Sequence, residues 1–423
     1  MNIVCFGPGP QFKGGIQNYN SSLARALDEI DGVEVTIVSW TQMYPAIFPR
    51  DLIDRSSRSS VLEGTEIPVK YITNYNNPLT WSRTVKEIKA CNPDKVIFQW
   101  SLAIQGPPIG WIAKRLEKIS GLEVIMDCHF VIQKEGSVID SWLTKYALGK
   151  VRTIVTHASQ TTAEVKELFP HRKWSVVTDG QQRQEKSYNI VQLYHPVYNL
   201  FEVKEDFDVD QFKEENKLKE HVFLFFGFIR KYKGLHHVIR AFKELTDRRD
   251  DVSLIICGES FWETLDNSKW STKVKNFLFG IAQNILLKKK EKESDYRPLQ
   301  LLDELQLRSE VLLKNDYVAN EEVHRYFQSS DAILLFYEYA TPSGVESISY
   351  NFRLPILATA VGHFPDTIVD GTHGYLARPG DITHMADVME RSITSPIDPG
   401  AIDDKIKGMS WHNYAKVILN SES

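Results

Sequence analysis

Cysteine is scarce in this chain. Four occur in 423 residues, at Cys5, Cys91, Cys128 and Cys257. None has the paired spacing of a zinc site, and no close pairs suggest a disulfide framework. The expectation is reduced thiols, as in a cytoplasmic protein. Long apolar runs are missing too. No stretch approaches the ~20 residues that span a bilayer. The opening MNIVCFGPGP has neither the charged start nor the long apolar core of a signal peptide. Any membrane contact is therefore expected to be peripheral, on the cytoplasmic face. Positive charge is not in excess: 50 Lys and Arg stand against 55 Asp and Glu, a formal net charge of −5. That speaks against a nucleic-acid binder held by bulk charge.

What the chain has is alternation. NIVCF, VEVTIVSW, KVIFQW, LEVIMDC and VRTIVTHA read as strands, with helical patterns such as IQNYNSSLARALDEI between them. Strands alternating with helices imply parallel sheets covered on both faces. The polar, acidic stretch after Pro196 interrupts the rhythm. HVFLFFGF, VSLIICG, SEVLLKN, DAILLFY, PILATAV and HGYLARP then resume it. The reading is α/β, with two doubly wound domains at 1–196 and 197–408. A segment near 261–301 is too long for an ordinary connection and reads as an insertion. Its FLFGIAQNILLKKK resembles either a solvated surface helix or a basic amphipathic patch.

The most informative stretch is FFGFIRKYKGLHHVIRAF, residues 225–242. An apolar strand ends in Gly227 and runs at once into Arg230, Lys231 and Lys233. Ligands of open α/β sheets bind at the carboxyl ends of the strands. Backbone N–H groups and a helix dipole add positive potential there. Arg230 and Lys233 suit a pyrophosphate, the first as a bidentate donor and the second as a point charge. Lys231 reads as solvated, and His236 and His237 as ordinary helix residues. A second turn, YATPSGVESIS, offers Ser343, Gly344 and Val345 at the start of a helix, where glycine lets a phosphate approach the backbone. At the N-terminus, Gly7 and Gly9 begin a dinucleotide fingerprint, but Phe12 breaks it. A nicotinamide cofactor is not expected. Gly14 and Gly15, just before the first helix, are the better candidates to approach a ligand.

With these pieces in place, the chain resembles the retaining nucleotide-sugar glycosyltransferases of family 4, which have the GT-B fold. GGIQNYNSSLARAL is similar to that family's Gly-Gly loop and first helix. FGFIRKYKGLHHVIRAF is similar to its donor motif. SSDAILLFYEYATPSGVESISYNFRLPILATAVGHFPDTIVDGTHGYLARPGD resembles its C-terminal donor signature, in the branch common among bacterial polysaccharide enzymes. The resemblance implies a donor domain at 197–408, an acceptor domain at 1–196, and a last segment, 409–423, crossing back onto the first domain.

It also implies two glutamates with seven residues between them. Glu338 and Glu346 have that spacing. Anchoring on Pro355 instead places Ala340 and Ile348 there, and puts Ser343–Val345 on the phosphate turn. Glu346 is the preferred carboxylate and Glu338 the weaker one. His129, at the end of LEVIMDC, matches the family's strand-end histidine near the reacting sugar, with Asp127 placed to orient it. His157 ends another strand, and His195 sits at the junction before Pro196. Asp208-Val-Asp210 lies away from any strand end and reads as solvated acid.

The function implied is transfer of a sugar from a nucleoside-diphosphate sugar to a glycan or lipid-linked glycan, with retention and no metal or other cofactor. Two alternatives share the architecture: a nucleotide-sugar 2-epimerase-like enzyme and a non-catalytic nucleotide-sugar-binding module. Aromatic residues in WTQMYPAIF and FQWSLAIQGPP suit either sugar stacking or core packing.

Overall fold

The computed structural model describes residues 1–44, 53–55, 57, 60–132, 138–178, 181–184, 187–260, 296–342 and 344–420. Two parallel sheets organise it. The first contains β1 (Asn2–Phe6), β2 (Glu34–Gln42), β3 (Val69–Asn74), β4 (Lys95–Trp100), β5 (Glu123–Cys128), β6 (Thr153–Thr156), β7 (Trp174–Val177) and β8 (Tyr188–Gln192), in the order β3-β2-β1-β4-β5-β6-β8-β7. The second contains β9 (His221–Phe226), β10 (Val252–Cys257), β11 (Val311–Lys314), β12 (Ala332–Leu335), β13 (Ile356–Thr359) and β14 (Gly374–Ala377), in the order β11-β10-β9-β12-β13-β14. Each sheet winds outward in both directions from its first strand. The second therefore has its topological switch point between β9 and β12, where open α/β sheets bind ligands.

Burial explains why these segments became strands. β4, β10 and β12 are buried along their whole length, as strands covered on both faces must be. The helices Pro78–Ala90, Gly106–Leu116, Val138–Leu148 and Ser159–Leu168 contribute to the apolar layer that also holds Phe98 and Met126. The opposite face of the first sheet carries Gly15–Asp28 and joins the second domain's core. That helix is buried nearly all round from Gln17 to Leu27, because the last helix, Trp411–Leu419, packs along it.

The return of the last helix to the first domain is held by specific bonds. Tyr19 donates to Tyr414 at 2.7 Å. Arg183 donates to the carbonyls of Val417 and Ile418, both at 2.9 Å. The two crossings between domains also touch one another: the Val197 N–H donates to the Met409 carbonyl at 3.0 Å. Asp208 heads a short helix, Val209–Glu215, and caps it by accepting from the Gln211 N–H at 2.9 Å. Most of the expected insertion, 261–295, lies outside the described residues.

Candidate functional site

The second domain presents two turns at the tips of β9 and β12. After β9 the chain passes Gly227 and Arg230, makes one 3-10 turn over Lys231–Lys233, and enters the helix Leu235–Thr246 through Gly234. The 3-10 turn was not legible in the sequence pattern, and it is what aims Lys233 inward. Gly234 has φ +65° and sits so close to the Phe336 carbonyl that an added Cβ would lie 2.0 Å from its oxygen. Only glycine fits there. At Gly227, with φ +99°, an added Cβ would lie 2.7 Å from Lys233 Nζ and 3.6 Å from a Val345 methyl. The ammonium thus lies over a bare stretch of backbone and faces the second turn.

Lys233 is only 8% exposed. Burial, helped by the charge of nearby Arg230, pulls its pKa down to about 8. A cation held in such a place is waiting for a counter-charge. Arg230 itself is half-buried, with its guanidinium 5.6 Å from the Tyr232 ring.

The second turn opens the helix Gly344–Asn351. An added Cβ at Gly344 would come 2.6 Å from the ring of Tyr198, a residue of the junction. The same tyrosine donates its hydroxyl to the Gly15 carbonyl at 2.9 Å. One side chain therefore fixes the spacing between the first domain's glycine loop and the second domain's turn at Gly344. Ser343 lies outside the described residues.

These pieces enclose a cavity of about 220 Å³ between the domains. Six residues singled out in the sequence line it together: Gly14, Gly15, Gly227, Lys233, Gly344 and Val345. Gly14 has φ +111° and open space where a side chain would stand. Four others, Arg230, His129, Glu338 and Glu346, are not in the wall. Val345 and Ile348 are, whereas Ala340, which the register anchored on Pro355 pairs with Ile348, is not.

Glu346 is turned into the domain, where its carboxylate meets His363 Nε2 at 2.7 Å. Burial raises its pKa, but the His363 charge and hydrogen bond outweigh that and leave it below the ordinary carboxylate value. Glu338 is exposed, 3.5 Å from His236 Nε2. Together with His237 these two bring possible metal-ligand atoms within 4.8 Å of one another. Lys231, Arg240 and a helix N-terminus make the surroundings hostile to a cation.

Sequence reasoning missed Asn18. It is 6% exposed and lines the cavity, and its Oδ1 has no hydrogen-bond partner among the described residues. Buried polar atoms are rarely left so. Its position one turn into the first helix, after two glycines, was the available signal. Glu259 and Asp316 also line the cavity and were not singled out. A larger depression of about 530 Å³ follows the far half of the same helix past Ser22, Arg25 and Glu29. It mixes charges of both signs and has no strand-tip glycine turn.

The first domain contributes a different kind of surface. His129, at the tip of β5, is buried, with Nε2 2.8 Å from Gln99 Oε1 and its ring edge-on to Tyr19 at 4.6 Å. Burial holds it neutral, with a pKa of about 4. Asp127 does not orient it, contrary to expectation: Asp127 Oδ1 meets His157 Nε2 at 2.8 Å, and Tyr414 donates to Oδ2 at 3.3 Å. Side chains alternate along a strand, so residues 127 and 129 share a face. The imidazole within reach of Asp127 is the one from the neighbouring strand. His195 meets Ser347 Oγ at 2.7 Å and so links the junction to the second domain.

Comparison with solved structures shows the fold. The chain has the GT-B architecture, two Rossmann-like domains around a cleft. It is similar to HepE of Anabaena in complex with UDP-glucose, at 14% identity over 99% of both chains and a TM-score of 0.66. It is similar to the sucrose-phosphate synthase of Thermosynechococcus elongatus, at 15% identity over 99% of this chain and 98% of that one, TM-score 0.61. It also resembles an α,α-trehalose-phosphate synthase (UDP-forming) of Burkholderia vietnamiensis, at 9% identity over 99% of both chains, TM-score 0.61. Within the chain, residues 206–409 match the family model for glycosyl transferases group 1. No curated protein matches by sequence.

Proposed function

We propose that the protein is a glycosyltransferase that moves a sugar from a nucleoside-diphosphate sugar to a glycan or lipid-linked glycan acceptor, with retention of configuration. One observation carries the reading: a buried lysine faces bare glycine backbone in a cavity at the switch point of the donor-type domain. The match of residues 206–409 to glycosyl transferases group 1 supports it, as does the likeness to a protein bound to UDP-glucose.

In the reaction, the bond between the sugar C1 and the diphosphate oxygen breaks as the acceptor oxygen bonds C1 on the same face. The acceptor's proton passes to the departing phosphate, so no separate base is needed. Negative charge grows on that phosphate. Lys233 and the amides at Gly344–Val345 stabilise it more in the transition state than in the ground state. Arg230 lies close enough to add its charge on domain closure. No metal is needed, because these groups supply the electrophilic assistance. Glu346, held by His363, fixes the start of its helix. His129 props Tyr19 and with it the first turn that carries Gly14, Gly15 and Asn18. Asn18 offers its carbonyl to a hydroxyl of the transferred sugar.

The test is release of nucleoside diphosphate from a panel of nucleotide sugars, UDP-glucose first, with and without a lipid-linked glycan fraction. Acceptor-dependent release is expected. Release that ignores acceptor and yields free rearranged sugar would favour the 2-epimerase-like alternative. Binding without turnover of any donor would favour the non-catalytic module.

A further inference from the structure

Among the described residues nine large apolar side chains are exposed, and five of them belong to one region. Leu79 (82% exposed), Ile104, Val138 (86%), Ile139 and Trp142 (62%) sit at the N-terminal ends of three helical segments, Pro78–Ala90, Ala103–Leu116 and Val138–Leu148. The three pack side by side on one face of the first sheet. They follow β3, β4 and β5, so these ends lie at the carboxyl edge of the sheet, the edge at which β1 leads into the loop of Gly14 and Gly15.

Behind the apolar rim the same segments turn basic. Arg83, Lys86, Lys89, Lys114, Lys118 and Lys145 are all exposed. One acid, the half-buried Asp140, stands within the apolar rim, and the acids nearer the lysines are paired. Glu87 pairs with Lys70 at 3.4 Å and Glu117 with Arg152 at 3.8 Å. A chain of net charge −5 thus concentrates exposed cations on this face. Apolar and tryptophan side chains flanked by lysines match the boundary of an anionic bilayer. There the apolar groups enter the acyl region and the cations meet headgroups.

We infer that this face docks the protein on an anionic membrane surface, with the cleft mouth turned to the lipid. This deepens the proposed function at one point only: it makes the acceptor lipid-linked and brings it to the cleft from the bilayer. No helix among the described residues is long and apolar enough to cross a membrane, so the contact is peripheral.

The test is co-sedimentation of the full chain with vesicles of phosphatidylglycerol mixed into phosphatidylcholine, against pure phosphatidylcholine. Binding is expected only to the anionic vesicles, with loss in about 0.5 M salt. Trp142→Ser with Ile139→Ser is expected to weaken it about tenfold. Lys86→Glu with Lys114→Glu is expected to weaken it by at least as much. All four positions are exposed, so folding is not at stake, and nucleoside-diphosphate affinity should stay unchanged. Absence of binding to anionic vesicles at low salt would overturn the inference. So would binding unaffected by both variants, or self-association that Trp142→Ser abolishes without any vesicle binding. Vesicle binding in a protein that turns over no nucleotide sugar would instead count against the glycosyltransferase reading alone.

Discussion

The two walls of the cleft are built on opposite principles. The second domain's wall turns on bare backbone, with glycines at strand tips, helix N-termini and one buried cation with its pKa at about 8, among apolar side chains and the acids Glu259 and Asp316. The first domain's wall is backed by side chains that satisfy one another. Asp127 holds His157 and Tyr414, and Tyr19 joins Tyr414 and abuts three histidines. Glycine backbone beside a buried cation is prepared for an anionic ligand. A side-chain network with its bonds made inside keeps its shape, and it holds the first helix and the last against each other. The difference separates groups that should govern affinity and rate from groups that should govern stability.

Substitutions on the two sides should therefore fail differently. Lys233→Ala should lower turnover by ~10²–10³, the usual cost of a lost charge-stabilising donor, with little change in unfolding midpoint. Single-turnover kinetics beside thermal unfolding checks both halves. Asp127→Ala should do the reverse. Leaving the buried His157 ring nitrogen and Tyr414 hydroxyl without their partner costs about 1–3 kcal/mol of stability, measured by urea titration, while nucleoside-diphosphate affinity of the folded protein holds. Equal losses in both assays for either variant would erase the distinction.

The pH dependence sharpens the same contrast. Lys233 carries its proton below about 8 and loses it above. Diphosphate affinity should thus fall as pH rises past 8, by up to about tenfold per unit. A lysine at its ordinary value would hold affinity to about pH 10. His129, with its pKa at about 4, should leave no trace in that range. Calorimetric titration between pH 6.5 and about 9.5 decides between these. The smallest effect belongs to Asn18→Leu. It should weaken a nucleotide sugar about fivefold relative to its nucleoside diphosphate, the worth of about one hydrogen bond. Equal weakening of both would move Asn18 from the sugar to the phosphates.

The backbone wall was also the more legible one. Glycines before helices, with cations at a strand tip, carry their mechanism in their spacing, and six of those residues meet at the cavity. The side-chain wall was not legible, because its bonds join neighbouring strands. Asp127 and His157 are 30 residues apart in sequence, and no local pattern pairs them. The apolar strands and the two-domain plan were read correctly from continuous buried runs. β3 and β7, half-buried at the sheet's edges, give weaker patterns, and β8 lies in the run before Pro196 where the alternation breaks. Glu346 looked exposed to ligand by spacing alone. Its pairing with His363 depends on a turn that follows β13.

The most direct test of the account is a crystal structure of the protein soaked with whichever nucleoside diphosphate raises its unfolding temperature most. The diphosphate is expected within hydrogen-bond distance of Lys233 Nζ and the amides at Gly344 and Val345, between the two glycine turns. A diphosphate seated instead in the depression beside Arg25 and His324 would contradict it. So would failure of every nucleoside diphosphate to bind.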